Sequence, residues 1–367
     1  MNAQAQKQKP SITILQFICI ISGIQIGVAV LSLPGNLVKA AGTDGWIAII
    51  IGWIIAGVAG TVIVMVMKNG QDETILELIS RTLGKWAGKL AALLMACYFV
   101  LLTFDGLNRT VLITKTWLLP NTSSFTLMVL MLIPSYAVLN NQIIAVGRYV
   151  VVIFLMSLWV PFIYLLPLKN GHLLHLLPVI KEGWGPVFIA LKALIYPSLG
   201  IIAAFFLYPY LKNKKQAVAG MWVSNSITMG LYLFITVICL LFYSPDEFIQ
   251  YNEPVISMLS SIEFRFVERI EVLFIAFYIF FFSMVWIPCL YLTVECTSWM
   301  LGGKKKTLHL QIICVGLAVI TYLLKPTFSA SDDLQERLMW IGFGFEYVLP
   351  VCLLGYLWIY GKFQPRR

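Results

Sequence analysis

The sequence predicts an all-α polytopic membrane protein of ten transmembrane helices, laid out as two inverted halves of five in which helices one and six are broken. Three observations lead there. Hydrophobic residues make up 60% of the 367 and charged residues only 12%, with a mean hydropathy of +0.87. A water-soluble domain of that composition would expose large sticky surfaces. The apolar runs reach bilayer length, about 20 residues of helix, and lack the alternation of outer-membrane barrel strands. Finally, glycine and proline interrupt two runs that stand five spans apart, at matching places in the two halves.

Read against polar breaks, the spans fall at 12–41, 46–67, 87–117, 122–139, 146–168, 188–209, 217–243, 270–301, 308–324 and 340–361. The halves are then 12–168 and 188–361, with short tails at 1–11 and 362–367. An even count puts both tails on one side. With the N-terminus inside, 16 of the 26 Lys and Arg residues are cytoplasmic, so the positive-inside rule makes both tails cytoplasmic. Lys7 and Lys9 precede a membrane-length span without a small-residue cleavage site, so span one is expected to remain as an anchor.

Span one carries Gly23-Ile24-Gln25-Ile26-Gly27-Val28-Ala29-Val30-Leu31-Ser32-Leu33-Pro34. Gly costs roughly 1 kcal/mol against Ala within a helix, and β-branched neighbours add little, so unwinding at Gly27 to Val30 is cheap. Backbone groups freed at mid-depth would cost several kcal/mol each unless they met a ligand or lined a wet cavity. A Gly-rich helix packed tightly on a neighbour is the competing account of span one alone. Span six shifts the balance: in Tyr196-Pro197-Ser198-Leu199-Gly200, Pro197 removes a donor and Gly200 relaxes the backbone. Five intervening steps require the two halves to be inverted, and paired broken helices point to a small-molecule site between them.

Between spans two and three, Ile75, Leu76, Ile79 and Leu83 recur at helical spacing among charges, as in a helix lying on the interface. The loop from Ser244 to Arg269, with Asp246, Glu247, Glu253 and Glu263, is the longest and most acidic, suited to capping an outward cavity. The seven cysteines all sit in apolar runs and read as small core residues. His172 and His175 read as a solvated connector rather than a ligand pair. The net charge of +9 follows membrane topology and signals no nucleic acid.

The sequence resembles the B subunits of bacterial spore germinant receptors, the endospore germination permeases, within the amino acid-polyamine-organocation superfamily. The likeness rests on Ile26 to Pro34, on Ala41-Gly42-Thr43-Asp44-Gly45-Trp46, on Leu83-Gly84-Lys85-Trp86, on Leu177-Pro178 followed by Glu182-Gly183, and on Glu268-Arg269-Ile270-Glu271. It implies a LeuT-like fold of five plus five inverted spans in the inner spore membrane. It also implies the sensing of a small germinant such as an amino acid, alongside an A subunit and a lipoprotein C subunit. Two departures stand out: Ala29 where the family usually has a second Gly, and Ile202 where it often has Glu. Proton-coupled relatives can carry a lysine in span five, and none stands between Val150 and Pro167.

A zwitterionic amino acid suits two helix breaks, because half-helix N-termini favour a carboxylate and freed carbonyls accept from an ammonium. The candidates are Gly27, Val28, Ala29 and Val30 in span one and Pro197, Ser198, Leu199 and Gly200 in span six. The resemblance brings in spans three and eight, hence Tyr98, Leu102, Tyr291 and Pro288. A wall of Val28, Leu102 and Leu199 favours a small apolar side chain. Glu346 and Glu295, carboxylates within spans, are candidate proton or ion sites. A receptor, a secondary transporter and a channel-forming subunit with an empty pocket are the competing functions. Enzymatic chemistry is not expected, since no nucleophile, base and orienting group occur together and no cofactor motif is present.

Overall fold

The computed structural model describes residues 11–70, 73–140, 142–181, 183–251, 253–262, 270–303 and 306–363. Most of both tails, Glu182, Glu263, Glu268, Arg269, Lys304 and Lys305 lie outside the described residues. Within them the chain is helical throughout, and its one isolated bridge pairs Ile12 with Leu211.

The first half runs through α1 (Ile14–Gln25), α2 (Ala29–Ala41), α3 (Gly45–Lys68), α4 (Ile75–Leu83), α5 (Lys85–Trp117), α6 (Ser124–Leu139), α7 (Gln142–Met156) and α8 (Val160–Ile163). The second runs through α9 (Trp184–Ile195), α10 (Ala204–Leu207), α11 (Ala217–Phe242), α12 (Pro245–Phe248), α13 (Pro254–Ser260), α14 (Ile270–Met300), α15 (Lys306–Leu324), α16 (Phe328–Phe343) and α17 (Leu349–Phe363). Among the described residues, seven helical runs are long and apolar enough to cross a membrane, and one bent pair makes eight. Following the chain resolves these into the expected ten. The run Ala29–Lys68 turns at Gly42–Asp44, so α2 joins α1 as span one and α3 is span two; α6, only 16 residues long, is span four.

Local chemistry sets the ends. At α1 the Thr13 N–H donates to Gln16 Oε1 (2.9 Å) and the Gln16 N–H to Thr13 Oγ1 (3.2 Å), a reciprocal cap. Thr74 and Glu77 form the same cap at α4; of its expected apolar face Ile75, Leu76 and Ile79 are buried, with Leu78 beside them, whereas Leu83 at its end is exposed. The pairing of α5 with α14 is the most extensive helix contact, and these two make the spine of the bundle.

Both expected breaks are present. Helix α1 stops at Gln25, where the Ile26 N–H turns back to the Ser22 carbonyl (2.8 Å) and the Gly27 N–H to that of Gln25 (2.8 Å). Helix α9 gives way to a 3₁₀ turn over Tyr196–Ser198, an extended Leu199, and Gly200 at φ +126°. A second 3₁₀ turn at Ile201–Ala203 leads into α10. The two pieces of span six meet at 44°.

Span ten departs from expectation. Its helix begins at Phe328 rather than near 340 and contains a π-helical turn at Gly344–Val348 between α16 and α17. Hydropathy starts the span too late because Asp332, Asp333, Glu336 and Arg337 look like a loop. In the fold Asp332 and Glu336 instead stand on a helix, exposed at an open polar vestibule. The cysteine reading also needs amendment: Cys97 and Cys352 are exposed on the outside of the bundle, whereas Cys19, Cys239, Cys289 and Cys296 are buried.

Spans two and seven approach closely through small residues, as membrane helices do where no solvent drives them together. A Cβ on Gly57 would overlap the Trp222 ring, and one on Gly60 would come within 2.7 Å of Met221 Cε. The Trp222 Nε1–H donates to Thr61 Oγ1 at 3.1 Å, fixing the ring over Gly57. Gly57→Leu is expected to lower stability by about 1–3 kcal/mol, the usual cost of overpacking, read as a reduced thermal midpoint of the detergent-purified chain.

Candidate functional site

The ends of the broken helices enclose a hollow lined by Gly27, Val28, Ala29, Leu102, Pro197 and Leu199, together with Tyr196 from span six and Val285 from α14. Six predicted residues therefore meet there. Its volume is about 20 Å³, room for a single water. Backbone groups line this space with bonds unmade. The N–H groups of Val28 and Ala29 find no acceptor, and the Ile24 carbonyl no donor, among the described residues. These are the start of α2 and the end of α1, the places where partial positive and partial negative charge accumulate.

Span six is different, because a side chain already occupies its freed N–H groups. The Gly200 N–H lies 2.8 Å from both carboxylate oxygens of Glu346, the Ile202 N–H 3.4 Å from Oε2, and the Tyr98 hydroxyl donates to Oε1 at 2.7 Å. Glu346 is fully buried and sits in the π-turn of span ten, a distortion frequent at functional sites. Two glycines make the approach possible: a Cβ at Gly342 would overlap Leu199 and stand 3.0 Å from the Tyr98 hydroxyl, and one at Gly200 would come within 2.7 Å of Ile24. The ligand-like role expected of an outside carboxylate at span six is filled from within, and Tyr98 and Gly200 serve it rather than the hollow.

Gln25 joins the two breaks. Its Nε2 donates to the Ser198 carbonyl (3.1 Å), its Oε1 accepts from Thr228 (2.9 Å), and its own carbonyl accepts from the Tyr232 hydroxyl (2.8 Å). Ser198 thus contributes its backbone, its hydroxyl being turned to the Leu194 carbonyl. Gln25, Thr228 and Tyr232 were not among the expected site residues, although a buried amide inside an apolar break was a readable signal.

Away from the face that carries the chain ends, a polar vestibule of about 560 Å³ opens between α2, α5, α9 and α16. Ala29, Tyr196 and Pro197 line both vestibule and hollow, so these residues are the partition. The Tyr196 hydroxyl donates to Asp105 on α5. One turn along, Arg109 pairs with Asp332 of α16 at 2.6 Å and with Glu253 at 3.1 Å, its guanidinium 4.9 Å from the centre of the Phe328 ring. Burial holds the Glu253 carboxyl above its ordinary value, with Arg109 offsetting part of that rise. Its loop also covers α2, since a Cβ on Gly35 would stand 3.4 Å from the Pro254 ring. Asp105 and Arg109, four apart in an apolar run, are intramembrane charges that sequence reasoning passed over.

The remaining candidates lie elsewhere. Val30 is buried in the first turn of α2 and does not line the hollow. Pro288 is buried inside α14, and span eight reaches the hollow through Val285 instead. Tyr291 and Glu295 line a separate hollow with Lys306, where Glu295 and Lys306 form an ion pair. The offset comes from register: Tyr291 and Glu295 stand roughly two and three turns beyond Val285 on a helix of 3.6 residues per turn. His172 precedes the 3₁₀ turn Leu173–Leu176 of a connector and His175 lies within it, and no cluster of metal-binding side chains occurs among the described residues.

The family model described as spore germination protein matches residues 11–329. The chain is 24% identical to the spore germination protein GerQB of Bacillus cereus over 341 residues, covering 90% of this chain and 91% of that one. It is 25% identical to spore germination protein A2 of Bacillus subtilis (strain 168) over 367 residues, covering 95% and 96%. Among solved structures it resembles MhsT, crystallised with L-phenylalanine, at a TM-score of 0.58 and 13% identity, covering 94% of this chain and 98% of that one. Mhp1, a nucleobase-cation-symport-1 family transporter in a closed conformation, gives a TM-score of 0.56 at 13% identity, covering 94% and 78%. The fold is thus LeuT-like, as expected.

Removing the Glu346 carboxylate would strand two N–H groups and a hydroxyl, at about 1–3 kcal/mol for each buried group left unpaired. Glu346→Ala is therefore expected to lower the thermal midpoint in detergent more than Tyr98→Phe, which removes one donor and leaves the carboxylate held by the backbone. The double variant should fall short of the sum; additivity within about 0.5 kcal/mol would show that the two do not act together.

Proposed function

The chain belongs to the spore germination protein family, and from that premise we propose that it is the germinant-sensing membrane subunit of a spore germinant receptor. The ligand is a small amino acid, held between the breaks of spans one and six. The observation that carries this reading is the pair of unmet backbone ends around the hollow. The Val28 and Ala29 N–H groups suit a carboxylate, the Ile24 carbonyl suits an ammonium, and Val28, Leu102 and Leu199 offer a short apolar side chain its wall.

A hollow of about 20 Å³ is smaller than any amino acid, so the arrangement is the closed one and the ligand must favour a wider state. Germinant shifts the balance only by binding that state more tightly. A and C partner subunits read the change, in the inner spore membrane, with both ends of this chain cytoplasmic. The vestibule lies on the opposite side and supplies the route in, past Tyr196.

A second reading, secondary transport of an amino acid, draws support from the likeness to transporters. Proteoliposomes holding only this chain separate the two: the receptor reading expects binding of labelled amino acid without concentrative uptake, and robust uptake overturns it. For the site, Ala29→Leu is expected to fill the hollow and abolish the germination response while the protein accumulates normally. An unchanged dose-response in spores carrying that variant would place the ligand elsewhere.

A further inference from the structure

A larger cavity than the hollow, of about 360 Å³, lies on the other side of the span-one break. Ile26 lines it, while its neighbours Gln25 and Gly27 line the hollow. Its depth is set by Gly230, at the middle of α11 (Ala217–Phe242), and Tyr278 of α14 closes its inner end. Its mouth forms where span five loosens between α7 and α8. There the Ser157 N–H is shared between the Ile153 and Phe154 carbonyls, and Pro161 lacks a donor altogether. Leu158 and Phe162 at this mouth are 50% and 65% exposed on the outside of the bundle, where the bilayer lies.

The chemistry of the lining excludes a polar occupant. Only three polar side chains reach it, and all are already bonded: Ser157 donates to the Ile153 carbonyl, and the Tyr164 and Tyr278 hydroxyls bond each other. An apolar cavity of this kind stays dry. A flexible hydrocarbon chain does fit, and the surrounding membrane supplies it at mid-depth.

We propose that this cavity is a binding site for one acyl chain of a bilayer lipid, seated between spans five, seven and eight against Ile26 in the broken part of span one. The site is independent of the germinant reading and stands whether or not that reading holds.

Gly230 gives a clean test, because a Cβ placed there meets nothing within 4 Å, so a larger side chain enters the cavity without displacing its neighbours. The full chain is reconstituted in phosphatidylglycerol vesicles containing a phospholipid with a diazirine midway along one acyl chain, irradiated, and mapped by mass spectrometry. Label on Phe234, Ile235 or Tyr278 is expected in the wild type and in Gly230→Ala, with loss of that label in Gly230→Phe. Ile227→Trp, filling the same space from the preceding turn, stands in if Gly230→Phe fails to accumulate. Label confined to Leu158 and Phe162, or inner label that persists unchanged in the filled variants, would mean annular lipid only and overturn the site. Inner label that disappears when partner subunits are co-reconstituted would likewise overturn it, assigning the mouth to a protein contact.

Discussion

A helix broken at the centre of a bilayer leaves backbone groups that lipid cannot satisfy, and this constraint governs the arrangement around spans one and six. At span six the answer is internal. The Glu346 carboxylate receives two backbone N–H groups and a tyrosine hydroxyl, so span ten, span three and the second half of span six form one bonded unit. The π-turn that holds Glu346, the missing side chain at Gly342 and the positive φ of Gly200 are all conditions of that single contact. Any one of them changed would pull the carboxylate from its donors.

Span one meets the same constraint with less. Its break is tied by Gln25 to Ser198, Thr228 and Tyr232, but the Val28 and Ala29 N–H groups at the start of α2 find no acceptor among the described residues. The two halves of the molecule, alike in path, thus differ in chemistry at corresponding places. One break is filled by the protein's own carboxylate and the other is left able to take one from outside. An anion from span ten thus reaches the backbone at Gly200 and Ile202.

Much of this was legible in the order of residues. Gly27 and Pro197-x-x-Gly200 marked the breaks because backbone freedom and a missing donor are properties of those residue types, independent of neighbours. Glu346 was singled out because a carboxylate in an apolar run demands a reason. What it touches was not legible, since its partners are backbone groups 144 and 146 positions away in sequence. Span ten was started too late for a related cause. Hydropathy measures affinity for lipid, and Asp332 and Glu336 line an open polar vestibule. Tyr291 and Pro288 were placed by analogy with a helix whose register the sequence alone does not fix; the structure turns Val285 to the hollow instead.

The bonding also divides the bundle into what can move and what cannot. Widening the hollow by shifting span six would break the Glu346 contacts, stranding several buried groups at once. Moving α2 instead disturbs fewer buried bonds, because the Val28 and Ala29 N–H groups at its start hold no acceptor among the described residues. On the vestibule side α2 is covered by Pro254, beside the Glu253 that Arg109 holds together with Asp332. The same carboxylate that ties down the loop over α2 therefore competes with span ten for one guanidinium. Since burial raises Glu253 above its ordinary value, its proton is more tightly held in the folded chain than in the unfolded one. Folded stability from this group alone falls as pH rises through that window and is recovered as pH falls, even though protonation removes the charge facing Arg109.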